Sequence, residues 1–199
     1  MSEPVEIAPG LLRWTARHPD WVEDAQPGGP NDWDQIVGAV LYETPGAVAL
    51  IDPIVPGDER ERFLAWLDGR VGQRPVSILT TVRWHVRDRD ELAERYGAQT
   101  GAAPDGVVPK PLEGAGETVY WLPEAATLVP GDRLLGDGRG GLRLCPDSWL
   151  GHVRVDRRDL AELLRPLLEL PVERVLVSHG EPVLDGALAA LARAIEEVS

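Results

Sequence analysis

Short apolar runs that end at Pro-Gly or other turn residues predict β-strands along most of the chain. The predicted strands cover two short segments within 5–14, then 36–44, 47–51, 75–82, 107–108, 118–122, 126–129 and 172–177. Apolar residues at helical spacing predict helices over 58–71, 88–96, 156–170 and 185–198, the third of them broken by Pro166. Residues 18–34 predict a long surface loop, and residues 136–141 predict a glycine-rich hairpin tip.

The order of these elements limits the fold class. Hairpins mixed with helices towards the end of the chain favour helices packed outside two sheets over a regular β/α alternation. We therefore predict an α+β fold. The 199 residues contain neither a repeat nor a linker, so we expect residues 1–199 to form one domain that is large enough to bury a core.

The chain is acidic, with 33 Asp and Glu residues against 20 Lys and Arg residues and a formal net charge of −13. This balance argues against a nucleic-acid partner, because phosphate binding needs clustered cations. No apolar run approaches the roughly 18 residues of a membrane span, so we expect no membrane partner. Residues 1–6 lack the features of a secretory signal, which favours a cytoplasmic location. The single Cys145 excludes an intrachain disulfide.

Functional side chains concentrate where the predicted strand at 75–82 ends. The chain continues there as Arg-Trp-His-Val-Arg-Asp over residues 83–88. This segment resembles the His-x-His-x-Asp-His metal motif of the metallo-β-lactamase superfamily. With three more landmarks it falls in the order of that superfamily: Leu-Ile-Asp at residues 50–52 before it, and a hairpin from Glu117 that leads to Gly131-Asp132 and Ser-His-Gly at residues 178–180 after it.

The resemblance covers residues 5–198 and implies an αββα sandwich of two mixed β-sheets flanked by helices. It also implies that the metal motif is degenerate. Arg83 and His85 take the positions of the first two motif histidines, Arg87 that of the aspartate and Asp88 that of the third histidine. An arginine offers no lone pair to a cation. A guanidinium about 4 Å from a dication would repel it by about 8 kcal/mol at an effective dielectric of about 20.

The remaining metal positions of the superfamily map elsewhere along the chain. Asp132 and His179 match its bridging aspartate and final histidine, and Glu113 falls near its middle histidine. The resemblance implies one metal shell of His85, Asp132 and Glu113 and another of Asp88, Asp132 and His179. The implied pocket comprises Asp52, Arg83, Trp84, His85, Arg87, Asp88, Glu113, Asp132 and His179.

Three functional hypotheses follow. In the first, arginine–carboxylate pairs replace the dinuclear centre, no metal cofactor binds, and the protein is non-catalytic or binds a small anionic ligand. Arg83 or Arg87 would then pair with Asp52, Asp88 or Asp132. The alternative is a mononuclear hydrolase, in which His85, Asp132 and His179 hold one zinc, iron or manganese ion and Asp88 or Glu113 serves as a further ligand or base. The third is an interaction protein whose Trp-rich segment at 14–33 contacts another chain. Oligomeric state is left open.

Aromatic and histidine residues outside the motif complete the prediction. Seven tryptophans stand beside one phenylalanine, which is unusual. The same resemblance implies that Trp14, Trp21, Trp33 and Trp84 surround the mouth of the pocket, and we expect Trp66 and Trp121 to pack in the core. His18 and His152 have no partner at ligand spacing, so surface or locally hydrogen-bonded positions are expected for both.

Overall fold

Six strands lie side by side in chain order in the first of two main sheets of the computed structural model, which describes residues 2–198. Residues 1 and 199, the predicted domain limits, lie outside this range. The strands are β1 (Ser2–Ala8), β2 (Leu11–Arg17), β3 (Ile36–Glu43), β4 (Val48–Ile51), β5 (Val76–Leu79) and β6 (Gln99–Thr100). Strands β1 to β4 pair antiparallel, whereas β4, β5 and β6 pair parallel, so the sheet is mixed.

The second main sheet is also mixed. It contains β7 (Val108–Leu112), β8 (Glu117–Leu122), β9 (Thr127–Val129) and β12 (Arg174–Val175), of which only β12 pairs parallel with its neighbour β9. Two further strands, β10 (Leu134–Gly136) and β11 (Leu142–Leu144), form a hairpin. The predicted tip at 136–141 connects these two strands, although the strands themselves were not predicted.

Helices cover the outer face of the first sheet. Helices α1 (Arg60–Val71) and α2 (Arg89–Tyr96) pack on this face. Val48 and Leu50 of β4 share an apolar cluster with Phe63 of α1, whereas Ala49 and Ile51 belong to the cluster between the two sheets. This alternation follows from the period of two in a strand, and it lets one strand contribute to two core layers.

The second sheet repeats the arrangement with α3 (Arg157–Leu164) and α4 (Ala187–Glu196). Val119 and Trp121 of β8 pack with Leu160 of α3 and Leu191 of α4, whereas Tyr120 faces the first sheet. The layers are therefore helix, sheet, sheet, helix, and the predicted αββα sandwich is confirmed.

The helix ends follow from local chemistry. Asp156 and Asp159 form a reciprocal capping box at the start of α3, which satisfies backbone N–H groups that have no partner within the helix. The α-helix ends at Leu164, and Arg165–Glu169 continue as a 3₁₀ helix around Pro166, as predicted. None of the helices in residues 2–198 is both long and apolar enough to cross a bilayer.

Two glycines, one inside α1 and one directly after it, give a direct test of where this helix ends. Gly69 lies inside α1 with open space at its Cβ position, whereas Gly72 ends the helix with φ of +59°. Gly69→Ala should raise the free energy of unfolding by about 0.5–1 kcal/mol, because alanine loses less backbone entropy in a helix. Gly72→Ala should lower it by about 1 kcal/mol, because the side chain is strained at this φ. Urea unfolding measures both, and effects of the same sign would contradict this helix boundary.

Candidate metal centre

Four chain segments meet at one edge of the sandwich. Asp52 follows β4 and His85 follows β5, and because these strands run parallel and adjacent, their carboxyl ends lie side by side. Asp132 stands between β9 and β10, and His179 lies in the turn after β12. Backbone hydrogen bonds fix the turn around His179: Gly38 N–H donates to Ser178 O at 2.7 Å, and Gly136 N–H donates to His179 O at 3.0 Å.

His85, Asp132 and His179 form a buried cluster. Asp132 Oδ1 lies 3.0 Å from His85 Nε2 and 3.2 Å from His179 Nε2. Despite these short distances, Asp132 Oδ1 receives no hydrogen bond of acceptable geometry, and His179 Nδ1 also has no partner among the described residues. Burial opposes ionisation of Asp132, but His85 and His179 outweigh it and hold the pKa of this carboxyl well below its usual range. The carboxylate is therefore charged, and both imidazoles converge on its Oδ1.

Asp52 orients the ring of His85 by contacting the nitrogen that faces away from Asp132. Its Oδ2 lies 2.7 Å from His85 Nδ1, and its Oδ1 accepts a hydrogen bond from Thr81 N–H at 2.8 Å. Burial disfavours the imidazolium, but Asp132 and Asp52 outweigh it and raise the pKa of His85 to about 9. Because ionised Asp52 accepts at Nδ1, a neutral His85 carries its proton there and presents a lone pair at Nε2.

A second buried carboxylate, Glu117, positions the loop that carries Asp132. Its two oxygens accept hydrogen bonds from the N–H groups of Gly131 at 3.0 Å, Asp132 at 2.7 Å and Arg133 at 2.9 Å. The loop lies so close to Thr81 that a Cβ on Gly131 would stand 2.3 Å from Thr81 Oγ1. Burial and then the charge of Asp132 raise the pKa of Glu117 to about 7. Glu117 therefore fixes the position of Asp132 from behind.

Arg87 reaches into the space beside this cluster. Its guanidinium donates to Gly38 O at 2.8 Å, Asp52 O at 2.7 Å and Ser178 Oγ at 2.7 Å. Its backbone has φ of +43°, which is unusual for a side-chain-bearing residue. Burial lowers the pKa of Arg87, although nearby Asp52 and Asp132 oppose this effect. The predicted arginine–carboxylate pairs are wrong in detail, because Arg87 binds two carbonyls and a hydroxyl.

Arg83 lies elsewhere. Its side chain is exposed, with the guanidinium carbon 5.7 Å from the ring centre of Trp84. Trp84 in turn donates from Nε1 to Asp132 Oδ2 at 2.6 Å. Of the two arginines that replace motif residues, one is therefore inside the site and the other stands at its rim. The β-strand pattern alone does not distinguish the two, because they follow the strand on a loop.

Asp88 and Glu113 do not join the cluster. Asp88 Oδ2 accepts from Val55 N–H at 2.7 Å, and its Oδ1 lies 3.5 Å from Arg60. Glu113 is exposed and lines a shallow groove beside the β7–β8 hairpin. The two separate metal shells implied by the resemblance are therefore corrected to one cluster, because loop geometry turns both carboxylates away from it.

A cavity of about 410 Å³ opens above the cluster. It includes Arg83, Trp84, His85, Arg87, Asp132 and His179 of the predicted pocket, but not Asp52, Asp88 or Glu113. The remaining lining residues are His18, Asp20, Pro30, Asn31, Trp33, Arg133, Ser148, Trp149 and His152. Asp52 lies behind His85 and acts on the cavity through that ring and through Arg87, which donates to its carbonyl.

Tryptophans form part of the cavity wall. Trp33 and Trp84 line it as predicted, whereas Trp14 is buried in the core and donates from Nε1 to Ile54 O at 2.7 Å. Trp21 supports the wall from outside by donating to Trp33 O at 2.9 Å. Trp149 completes the wall and was missed, since the sequence around it predicts no regular element.

Two histidines that had no predicted partner also border the cavity. His18 accepts from Asp20 N–H at 3.2 Å, as a locally hydrogen-bonded residue does, and its ring contacts Trp33. Burial, followed by the charge of Arg87, lowers the pKa of His18 to about 4. His152 is exposed and contacts Trp84. His18 is locally hydrogen-bonded and His152 is exposed, as expected, but their spacing along the chain did not predict that they line the cavity.

The cluster meets the requirements of a single metal ion. Two imidazoles and a carboxylate suit zinc, iron or manganese, and their ligand atoms all lie within 4.8 Å of one another. Tetrahedral ligands at about 2.0–2.2 Å from zinc are separated by about 3.4 Å, close to the two distances from Asp132 Oδ1. The convergence of both imidazoles on Asp132 Oδ1 and the contact between His85 and Asp52 fit the same role. Residues 2–198 hold no second group of this kind.

Known structures share this architecture. No protein-family model matches the chain, and no curated protein matches it in sequence. The crystal structure of the metallo-β-lactamase DIM-1 aligns with a TM-score of 0.64 at 12% identity, over 99% of this chain and 98% of that one. FIM-1 from Pseudomonas aeruginosa, in its mono-zinc form, aligns with a TM-score of 0.62 at 13% identity, over 98% and 95%. A metallo-β-lactamase from Erythrobacter litoralis aligns with a TM-score of 0.57 at 16% identity, over 98% and 96%.

The chain therefore has the metallo-β-lactamase fold, and both the predicted fold class and the resemblance on which it rested are confirmed. At these identities the likeness establishes the fold alone. One fold supports many reactions, so the chemistry has to be argued from the residues of this chain.

The role of Glu117 is tested by comparing it with an exposed neighbour on the same side of the sandwich. Glu117→Ala should lower the free energy of unfolding by about 2–4 kcal/mol, because three buried N–H groups lose their acceptor. Glu113→Ala should change it by less than about 0.5 kcal/mol, since this side chain is exposed. Urea unfolding measures both. Equal effects would show that Glu117 does not hold the Asp132 loop.

Proposed function

We propose that this protein is a mononuclear metal-dependent hydrolase in which His85, Asp132 and His179 hold one zinc, iron or manganese ion. The observation that carries the proposal is the buried Asp132 Oδ1, on which two imidazole nitrogens converge at 3.0 and 3.2 Å. Buried charged groups are paired or coordinate metals, and a cation held by these three ligand atoms would satisfy the carboxylate. FIM-1, which has the same fold, has been crystallised in a mono-zinc form.

The residues beside the cluster favour one ion over two. Arg87 brings a fixed positive charge into the site, and its hydrogen bonds to Gly38, Asp52 and Ser178 hold it there. Asp88, at the position of a motif histidine, points towards Val55 and Arg60. A second cation would therefore meet a guanidinium and lack a third protein ligand.

The residues around the cluster hold the three metal ligands in position. A bound ion of this type supplies Lewis acidity, which polarises a substrate oxygen and activates water. Asp52 keeps the Nε2 of His85 directed towards Asp132, and Glu117 fixes the backbone of Asp132. Trp84 donates to the second oxygen of Asp132, and Oδ1 faces the two imidazoles. Trp33 and Trp149 pack edge-on against His179 and restrict its rotation.

Metal content after loading tests the proposal directly. Protein purified without chelator and then loaded with zinc, manganese or iron should retain about one equivalent after gel filtration, as measured by elemental mass spectrometry. His179→Ala should lose the ion, because one of three protein ligands is gone. His152→Ala is the matched control, since its ring lines the same cavity outside the cluster, and it should retain the ion.

The loaded protein should also hydrolyse at least one substrate in a panel of chromogenic esters, phosphodiesters and lactams, and His179→Ala should not. A wild-type protein that retains none of the three metals would refute the proposal. Equal metal content in wild type and His179→Ala would refute the ligand assignment.

A metal-free binding protein is the second candidate, and one observation favours it. Without an ion, His85 bridges the carboxylates of Asp52 and Asp132, and Arg87 supplies a further positive charge beside them. Two cations then balance two anions, so the site is electrically neutral without metal. In this case the pocket is non-catalytic and can still bind a small ligand.

Arg87→Met separates these two candidates. Gly38 O, Asp52 O and Ser178 Oγ lose their donor, so the free energy of unfolding should fall by about 2–4 kcal/mol. If the site binds a dication, removing the guanidinium should raise zinc affinity by at least about tenfold, because a repulsive charge is gone. Competition with a chromophoric chelator measures that affinity. If neither the wild type nor Arg87→Met binds zinc, the result would support the metal-free candidate.

A further inference from the structure

Arginines outnumber aspartates in the lining of the cavity, although the protein as a whole is acidic. The lining contains three arginines, Arg83, Arg87 and Arg133, and two aspartates, Asp20 and Asp132, which gives a formal charge of +1 with neutral histidines. The whole chain has a net charge of −13. A bound dication would add positive charge at the floor of the cavity. Cationic side chains that line a concave site favour the binding of anions.

The walls of the cavity are flat and aromatic. Trp33, Trp84 and Trp149 line it together with His18 and His152. Hydrogen bonds fix two of the indole rings, from Trp84 Nε1 to Asp132 Oδ2 at 2.6 Å and from Trp149 Nε1 to Gly29 O at 3.3 Å. Rigid indole faces bind flat apolar groups at a small cost in side-chain entropy. The volume of about 410 Å³ suits a small molecule.

The three arginines differ in what they can offer a ligand. Arg133 is fully buried and donates to Ala115 O at 2.9 Å and Trp149 O at 3.1 Å. Arg87 is held by its three hydrogen bonds. Arg83 is exposed at the rim, and no carboxylate of the described part of the chain lies within ion-pair distance of it. Its guanidinium is therefore available, next to the ring of Trp84.

We infer that the cavity binds a small organic anion with a flat apolar body, whose negative group pairs with Arg83 while the body lies between the tryptophan walls. The inference rests on the proposed function, because such a ligand would be the substrate or product held above the metal cluster. It deepens that function by naming a ligand class. Arg83 occupies a lost metal-ligand position, so the change that removed a ligand also supplied an anchor for an anion.

Calorimetric titration with three probes tests both parts of the ligand. The probes are 1-naphthoate, 1-naphthalenemethanol with the same body and no charge, and acetate with the same charge and no body. Wild-type protein should bind 1-naphthoate with a dissociation constant below about 1 mM and each comparison probe at least about tenfold more weakly. Arg83→Gln should weaken 1-naphthoate about fivefold and leave 1-naphthalenemethanol unchanged.

Arg143→Gln is the control variant, since Arg143 is exposed on β11 and does not line the cavity. It should keep 1-naphthoate affinity within about twofold of wild type. Affinities of 1-naphthoate and 1-naphthalenemethanol that are equal, a loss in Arg143→Gln as large as in Arg83→Gln, or no saturation by 1-naphthoate at about 10 mM would each overturn the inference.

Titrating both chelator-treated and metal-loaded protein separates the two proposals. Protein that retains one metal ion but does not bind 1-naphthoate refutes the ligand class and leaves the metal site intact. Protein that retains no metal but binds 1-naphthoate with the expected dependence on Arg83 refutes the hydrolase and supports the ligand class. If 1-naphthoate binding requires the metal and is unaffected by Arg83→Gln, Arg83 does not bind the carboxylate, because the ion alone then holds it.

Discussion

His85 is held between two buried carboxylates that come from different halves of the sandwich. Asp52 ends a strand of the first sheet, and Asp132 follows a strand of the second. The imidazole therefore joins the two sheets at the edge where the cavity opens. Removing one partner of such a buried set leaves an uncompensated charge, which typically costs about 3–5 kcal/mol. The positions of Trp84 and Arg87 depend on this link, since both donate hydrogen bonds to residues of the set.

The sandwich could be predicted because its signals are local and ordered. Alternating apolar strands, the Pro166 break and four landmarks in the right order were sufficient for the fold and for three cluster residues, His85, Asp132 and His179. The positions of Asp88 and Glu113 could not be predicted. A motif position fixes the place of a Cα, but a loop conformation decides where the side chain points. Asp88 faces α1, and Glu113 faces solvent.

The burial of Glu117 could not be predicted from the sequence for a different reason. An acidic residue at the start of an apolar strand is usually interpreted as the solvated end of that strand. Here the residue directly opposes a turn whose three N–H groups need acceptors, and burial becomes favourable because the carboxylate supplies them. The partners are 14 to 16 residues away along the chain, beyond the reach of local patterns. Arg87 was predicted as a pocket residue, but its hydrogen-bond partners could not be predicted, since the three acceptors come from three separate segments.

Arg87 also determines how the two proposals relate. A metal ion can leave its site, whereas a guanidinium is a permanent charge that three hydrogen bonds fix in place. Arg87 therefore keeps one positive charge beside the cluster, with or without a bound cation. This charge is supplied by the chain and does not depend on metal supply. The site can therefore bind an anionic ligand and a single metal ion together, because the ion adds positive charge to that of the arginines.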